Sequence, residues 1–326
     1  MHPDVSVIIC AYNAEKYIAK SIESALSQRG VALELVLVND DSTDNTLRMM
    51  KQYASRDSRI VIIENQQNFG LSVSRNVGAR ASSGEWITPL DADDWYGAGR
   101  LARLVEAGRR HQVEMVADDM YCVPQGYEQK AKRLLAKKFQ DVETLATVED
   151  FIRMSQPWRG VWGYMQPLVR RDFLIANNLG YDEQLRVMED WDYWMRCLLH
   201  GARLLVVGEP YYYYLIAQRA ASLSRADSAK KRVRVMIEIT QRIIELAKSK
   251  NHAEALELLK TRKRILGSID SYLDFSTALK SYRFADAIKN LAKNPSSLPL
   301  YFTLAANSLW ERVCELIHLN RFSFTP

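Results

Sequence analysis

Two textures alternate along the first 120 residues. Short apolar runs rich in β-branched side chains, at Val5–Cys10, Leu33–Val38, Ile60–Ile63, Trp86–Leu90 and Met115–Ala117, read as buried strands. Between them, apolar residues recur at helical spacing, as at Ile18, Ile22, Ala25 and Leu26, then Leu47, Met50 and Tyr53. Strand–helix alternation of this kind predicts right-handed βαβ units. The expected fold class is α/β, with a mostly parallel central sheet and helices on both faces. Ligands of such sheets sit beyond the carboxyl ends of the strands, so chemistry is expected just after each apolar run.

From about 120 to 185 the pattern loosens, with Pro124, Gly126, Pro157, Gly160, Gly163 and Pro167 set among aromatics. A strong helix is predicted at Glu189–His200, followed by two strand-like runs, Ala202–Val207 and Pro210–Leu215. After Ser228 the texture is helical to the end. Val233, Met236, Ile237, Thr240, Ile243, Ile244 and Ala247 form one stripe, and Phe302, Ala306, Leu309, Val313 and Leu316 another. Breaks at Asn251, Gly267 and Pro295–Pro299 divide this region into four or five helices. The expected division is a domain over 1–227 and a helical C-terminal domain over 228–326. The segment Ala285–Pro295 has a faint likeness to a helical-hairpin repeat, but one copy makes no array.

Composition narrows the class without naming it. A chain of 326 residues, 48% hydrophobic and 25% charged, suits a globular protein of one large and one smaller domain and excludes disorder as its main theme. The overall charge of +5 is uneven: residues 228–326 hold 17 Lys/Arg against 9 Asp/Glu, a net +8, leaving −3 for 1–227. An acidic front half fits a metal site. A basic back half, with clusters at Lys230, Lys231, Arg232, Arg234 and Lys260–Arg264, fits either solvated helix faces or an anionic membrane surface. Packing on the first domain and homo-oligomer formation are further uses for that helical region. Cys10, Cys122, Cys197 and Cys314 lie far apart without metal-ligand spacing, which argues against a zinc site or a disulfide framework. No signal peptide or spanning segment is expected, so the protein is placed in the cytoplasm, at most peripheral on the inner face of the membrane. No nucleic-acid partner is expected.

The residues after the strands carry the candidate chemistry. Cys10-Ala11-Tyr12-Asn13-Ala14-Glu15 offers small residues for close approach, Tyr12 for stacking on a nucleobase and Glu15 for a ribose hydroxyl; the alternative is a plain turn capped by Asn13. In Asn39-Asp40-Asp41-Ser42-Thr43-Asp44, Asp40 lies nearest the strand end and could accept the imide N–H of uracil, with Ser42 and Asp44 as caps of the next helix. In Asn68–Asn76, Gly70 permits a tight turn, and Arg75 either reaches a diphosphate or holds the acidic cluster. Asp91-Ala92-Asp93-Asp94-Trp95 is the sharpest signal. Three carboxylates in four residues repel one another unless a cation neutralises them, and on an extended backbone Asp91 and Asp93 would point the same way. A hard divalent cation bridging to diphosphate oxygens meets that need; a solvated acidic loop is the alternative. In Glu189-Asp190-Trp191-Asp192, Asp190 sits near a helix N-terminus beside an aromatic wall, as a catalytic base requires, with Glu189 and Asp192 as charge caps. Trp95, Trp158 and Trp162 suit either stacking on sugar rings or core packing. None of the five histidines stands in a pattern, and GxSxG, P-loop and GxGxxG motifs do not occur.

Taken together, SVIICAYN with Glu15, ELVLVNDDSTDNT, NFGLSVSRN, GEWITPLDADDW and EDWDYWMR resemble glycosyltransferase family 2, the inverting enzymes of GT-A fold, over residues 4 to about 215. The resemblance implies that Ala11, Tyr12, Glu15 and Asp40 hold the nucleotide of a UDP-linked donor. It makes Asp91 and Asp93 the DxD pair around Ala92, with Asp93 on Mn²⁺ or Mg²⁺, and Asp190 the general base. It departs from the family pattern where the usual glycine of the DDGS motif is Asp41. The QxxRW motif of processive members is missing, which implies one sugar added per encounter. PLDADDW with VADDMY also resembles transferases that build succinoglycan-type exopolysaccharide units on a lipid carrier. That implies a saccharide acceptor on polyprenyl diphosphate. Two rival readings stand beside this one. A nucleotidyltransferase would want a basic Gly-rich loop near the first strand, and CAYNAEKY is not one; a silent nucleotide-binding scaffold would not need an intact acid set.

Overall fold

The computed structural model describes residues 2–155, 162–216 and 225–282. The chain divides into two compact units, Met1–Phe151 with Val161–Gln218, and Ile152–Gly160 with Arg219–Pro326.

The first unit is built on a ten-stranded sheet. Its elements run β1 (Val5–Ala11), α1 (Ile18–Leu26), β2 (Leu33–Asn39), α2 (Thr46–Ala54), β3 (Ile60–Glu64), α3 (Leu71–Ala81), β4 (Trp86–Pro89), β5 (Trp95–Tyr96), α4 (Arg100–His111), β6 (Met115–Pro124), β7 (Lys132–Arg133), β8 (Glu143–Ala146), α5 (Val148–Met154), β9 (Leu168–Arg170), α6 (Arg171–Ala176), α7 (Glu189–Leu199) and β10 (Leu204–Ile216). The strand order is β3-β2-β1-β4-β9-β6-β10-β5, with β7 on β6 and β8 on β10. β1, β2, β3 and β4 pair in parallel, as do β6 and β10, while β9 is antiparallel to both β4 and β6. The six long strands therefore share one direction and one carboxyl edge. β1 and β2 are buried almost throughout, which is why they read as continuous apolar runs and not as alternating ones.

Two strands depart from the expected boundaries. β6 continues seven residues past Ala117, through Asp118 and Asp119, which broke the apolar pattern. Both carboxylates are buried but paired, Asp118 with Arg100 at 2.8 Å and Asp119 with Arg133 at 2.7 Å, so the strand carries them inward without orphaning a charge. The two runs expected around Pro210 are one strand, β10. Gly208 and Pro210 are absorbed as irregularities in its pairing with β6 between Val207 and Tyr212.

In the second unit α8 (Arg225–Ser249) and α9 (Ala253–Lys280) fold back on one another around Asn251, which has φ 58°. Val233, Thr240, Ile243, Ile244 and Ala247 of the expected stripe are buried. No break occurs at Gly267. One glycine inside a packed helix costs about 1 kcal/mol, too little to stop a 28-residue helix. Lys230 pairs with Asp274 and Arg234 with Asp270, so two of the basic residues expected on a solvated face or at an anionic surface hold this hairpin together. Among the described residues no helix is long and apolar enough to cross a membrane. Trp158, Pro295–Pro299, the Phe302–Leu316 stripe and Ala285–Pro295 lie outside the described residues.

α3 lies directly on the sheet. A Cβ on Gly78 would meet Ile8 Cγ2 of β1 at 2.5 Å and Val38 Cγ2 of β2 at 3.3 Å. Gly78→Ala is therefore expected to lift α3 and cost about 1–3 kcal/mol by overpacking, read from urea denaturation. An unchanged midpoint would mean that the helix does not need this close approach.

Candidate active site

β1 and β2 run in register to Ala11 and Asn39, and the Asp40 amide donates to the Ala11 carbonyl at 2.9 Å. Buried Ala11, the half-exposed ring of Tyr12 and Asp40 therefore stand side by side at the carboxyl edge. The two turns that follow are laced together. Asn13, with φ 50°, accepts from the Thr43 amide at 2.8 Å, and its own amide donates to Ser42 Oγ at 3.1 Å. Asp44 accepts from the Thr46 amide at 2.9 Å and caps the start of α2 as expected. Ser42 does not; its hydroxyl is turned toward Asn13. Glu15 accepts from the Asn45 amide at 3.0 Å and from Asn45 Nδ2 at 2.9 Å, both on one oxygen, leaving its other oxygen for a ligand. Asp41, at the usual glycine position, has φ 61°, the left-handed conformation that makes glycine the ordinary choice there and that aspartate tolerates.

Asp40 is buried and already well supplied with donors. Its Oδ1 accepts from Asn65 Nδ2 at 2.7 Å and from the Phe69 amide at 3.0 Å, and its Oδ2 from the Gly70 amide at 2.8 Å. It ties the end of β2 to the entry of α3, and one lone-pair direction on Oδ2 remains for a nucleobase.

After β4 the chain does not stay extended. Ala92 and Asp93 form a turn, so the expected alternation of Asp91 and Asp93 fails there. Asp91, Ala92 and Asp93 are half-buried, while Asp94 turns inward, accepting from the Tyr212 hydroxyl and the Leu215 amide, each at 2.7 Å. Burial, with the charges of Asp91 and Asp93, pushes the Asp94 carboxyl far above the usual carboxylate range. The Ser21 hydroxyl of α1 lies within hydrogen-bonding distance of the Ala92 and Asp94 carbonyls, at 2.9 and 2.5 Å, and pins the turn from below.

Arg75 joins the two acidic segments. Its side chain is 3% exposed; Nη2 donates to Asp91 Oδ1 at 2.8 Å and Nη1 to Asp190 Oδ1 at 2.6 Å. Two carboxylates 99 positions apart thus share one buried guanidinium. Of the two roles left open for Arg75, holding the acidic cluster is the one this geometry displays. α3 also grips the segment leading into α7. Ser72 Oγ donates to the Leu185 carbonyl at 3.1 Å, Asn76 Nδ2 donates to the Tyr181 carbonyl at 2.9 Å, and the Tyr181 amide donates to Asn76 Oδ1 at 2.8 Å. Met188, with φ 63°, then turns the chain so that Asp190 enters the first turn of α7. Glu189 and Asp192 lie in the first turn of α7 as expected, and Asp192 is also buried and paired with Arg196 at 2.8 Å. Trp162 is fully buried, and Trp95 is covered by Tyr213 at 5.3 Å and by Lys20 Nζ at 3.0 Å, so neither presents an open ring face.

The environment of Asp190 works in both directions. Burial raises its pKa most, Arg75 lowers it, Glu189 and Asp91 raise it, and Tyr181 lowers it, with a net rise to about 7. About 20% of its side chain still reaches solvent. A partly accessible carboxyl balanced near neutrality is what proton abstraction from an alcohol needs.

The donor set also suits a divalent cation shared with a ligand. Asp91 has one oxygen on Arg75, which leaves its Oδ2 for a metal, and Asp93 is the next acid of the same turn. Among the described residues no three His, Cys, Asp or Glu side chains form a cage of their own. One or two carboxylates completed by diphosphate oxygens is a usual arrangement for Mg²⁺.

A mostly parallel sheet with its acids at the carboxyl edge is a ligand-binding layout of α/β folds, and comparison with known proteins gives the class. The model of glycosyl transferase family 2 matches residues 6–173. The chain is 30% identical over 298 residues to the succinoglycan biosynthesis protein ExoO of Rhizobium meliloti, covering 91% of this chain and 83% of that one. Crystal structures of S. aureus TarS residues 1–349 share the fold, at 19% identity and a TM-score of 0.64 over 88% of both chains. The same TarS fragment in complex with UDP-GlcNAc matches at 21% identity and a TM-score of 0.59, over 88% of this chain and 89% of that one. The chain belongs to glycosyl transferase family 2 and is a transferase.

Removing the shared cation exposes its weight. Arg75→Met is expected to cost about 3 kcal/mol at neutral pH, because two partly buried carboxylates lose their counter-charge. The deficit should shrink as pH falls and those carboxyls take up protons; a loss independent of pH in chemical denaturation would contradict this account.

Proposed function

We propose that this enzyme transfers a hexose from a UDP-linked sugar to a hydroxyl of a saccharide acceptor carried on polyprenyl diphosphate. The step belongs to assembly of an exopolysaccharide or related surface glycan. The observation that carries the reading is the Arg75 bridge, which brings Asp190 and the Asp91–Asp93 turn to one place. The UDP donor is supported by Asp40 and Tyr12 at the strand edge and by the UDP-GlcNAc complex of the TarS fragment. The surface-glycan setting is supported by kinship with a succinoglycan biosynthesis protein. A net positive C-terminal region suits an acceptor held at an anionic surface, with peripheral contact there or with a second copy of the chain.

In this mechanism Tyr12 stacks on the base, Asp40 accepts the uracil imide and Glu15 the ribose hydroxyl. Arg75 holds Asp190 by Oδ1, and Oδ2 would take the acceptor proton. The acceptor hydroxyl gives its proton to Asp190 as its oxygen bonds to the anomeric carbon. The bond from that carbon to the diphosphate oxygen breaks, UDP leaves with the bonding pair, and configuration inverts. A Mn²⁺ or Mg²⁺ on Asp93 and Asp91 would neutralise the charge developing on the diphosphate. One base is then sufficient, and no second catalytic carboxylate is required.

Asp190→Asn is expected to abolish transfer while UDP-sugar binding, read by thermal shift, stays nearly intact; equal losses of both would remove the base from the mechanism. Because the carboxylate is the active form, kcat/KM should fall as pH drops through about 7. Asp93→Ala should lose the metal-dependent part of donor affinity, and wild-type turnover that persists in excess chelator would end the metal assignment.

A further inference from the structure

The hydroxyl of Tyr181 is buried without a partner at full hydrogen-bond geometry, yet it stands near enough to Asp190 to draw that carboxyl's pKa down. A buried, unpaired hydroxyl is unfavourable and calls for an explanation. Nothing about its placement is loose. Asn76 clamps the Tyr181 backbone from both sides, at 2.8 and 2.9 Å. The ring packs on Tyr193, with centroids 4.2 Å apart, and lies 5.0 Å from the Arg75 guanidinium. That same guanidinium holds Asp190. The groups facing Asp190 are Arg75 from α3, Asp91 from the end of β4, Glu189 from its own helix and Tyr181 from the segment before it.

We propose that Tyr181 is a positioning residue for the general base: its rigidly held, unpartnered hydroxyl pairs with the Asp190 carboxyl group during the reaction. This rests on the reading of Asp190 given above. A phenol suits the task because it can donate to the carboxylate before proton transfer and accept from the carboxylic acid afterwards. No new charge has to be buried in either state. Tyr181 also belongs among the groups that hold the Asp190 pKa down against burial.

The test is Tyr181→Phe, which removes one oxygen and keeps the ring. Asp carboxyl carbons are labelled with ¹³C, and the Asp190 signal is identified by its disappearance in Asp190→Asn. Loss of the hydroxyl is expected to raise the Asp190 titration midpoint by about half a pH unit. Release of UDP from UDP-glucose or UDP-GlcNAc, with water as acceptor, should fall about threefold below that midpoint and stay unchanged well above it, with donor KM unaltered. Thermal stability measured below the Asp190 midpoint, where the carboxyl is protonated, should be unchanged or higher. A drop in Tm at that pH, an unmoved midpoint, or a rate loss equal at every pH would overturn the proposal. The Asp190→Asn control keeps two failures apart. If that variant still releases UDP at the wild-type rate, the base assignment fails and the positioning role fails with it. If it is inactive while the Tyr181→Phe midpoint stays put, only the role of Tyr181 falls.

Discussion

A single buried guanidinium sets the constraint around which the first unit is organised. Arg75 cannot lose its charge at any ordinary pH, and once inside the protein it requires anionic partners. It takes one from each side, Asp91 at the end of β4 and Asp190 at the start of α7. Those two elements lie 99 positions apart in the chain, and the arginine makes their meeting a condition of burying α3. Either carboxylate without Arg75 would be an uncompensated acid beside an apolar sheet edge. Arg75 without them would be a buried cation with no counter-charge. Folding and site assembly are therefore the same event here.

The same arrangement explains the balance at Asp190. Burial and two neighbouring acids, Glu189 and Asp91, drive its pKa up, while Arg75 and Tyr181 draw it down, and the result lies near 7. A carboxyl held only by arginine would be too weak a base; one held only by apolar walls would stay protonated at neutral pH. Asp94, three residues after Asp91, shows the other outcome. It has hydrogen-bond donors but no cation, and it is pushed well above the usual range. Two acids of one short motif thus reach opposite uses because only one of them meets the guanidinium.

Much of this was legible in the sequence, for identifiable reasons. Buried parallel strands read as unbroken apolar runs, so β1, β2 and β4 were visible within a residue or so at their ends, and the edge strand β3, only partly buried, was marked by its β-branched residues. Acids abutting such runs pointed to the strand edge, and five motifs in order resembled one family. What stayed hidden depends on partners distant in sequence. The length of β6 was masked because Asp118 and Asp119 look like a strand end until Arg100 and Arg133 are seen to neutralise them. The inward turn of Asp94 depends on Tyr212 and Leu215, about 120 residues later. Asn76 is, in the sequence, only the last residue of the segment Asn68–Asn76, yet its amide holds the backbone of Tyr181. The only local hint was that it directly follows the arginine.

α3 is accordingly best regarded as part of the site and not as its support. Its entry is held by Asp40 through the Phe69 and Gly70 amides, so the residue proposed to recognise the base also fixes where the helix begins. Five residues on, Arg75 meets both acids, and the next position clamps the segment that carries Tyr181. Gly78 then lets the helix settle onto Ile8 and Val38. Asp40, Arg75 and Asn76 are thus joined through one helix of eleven residues, so a change at any one of them is felt at the position of the others.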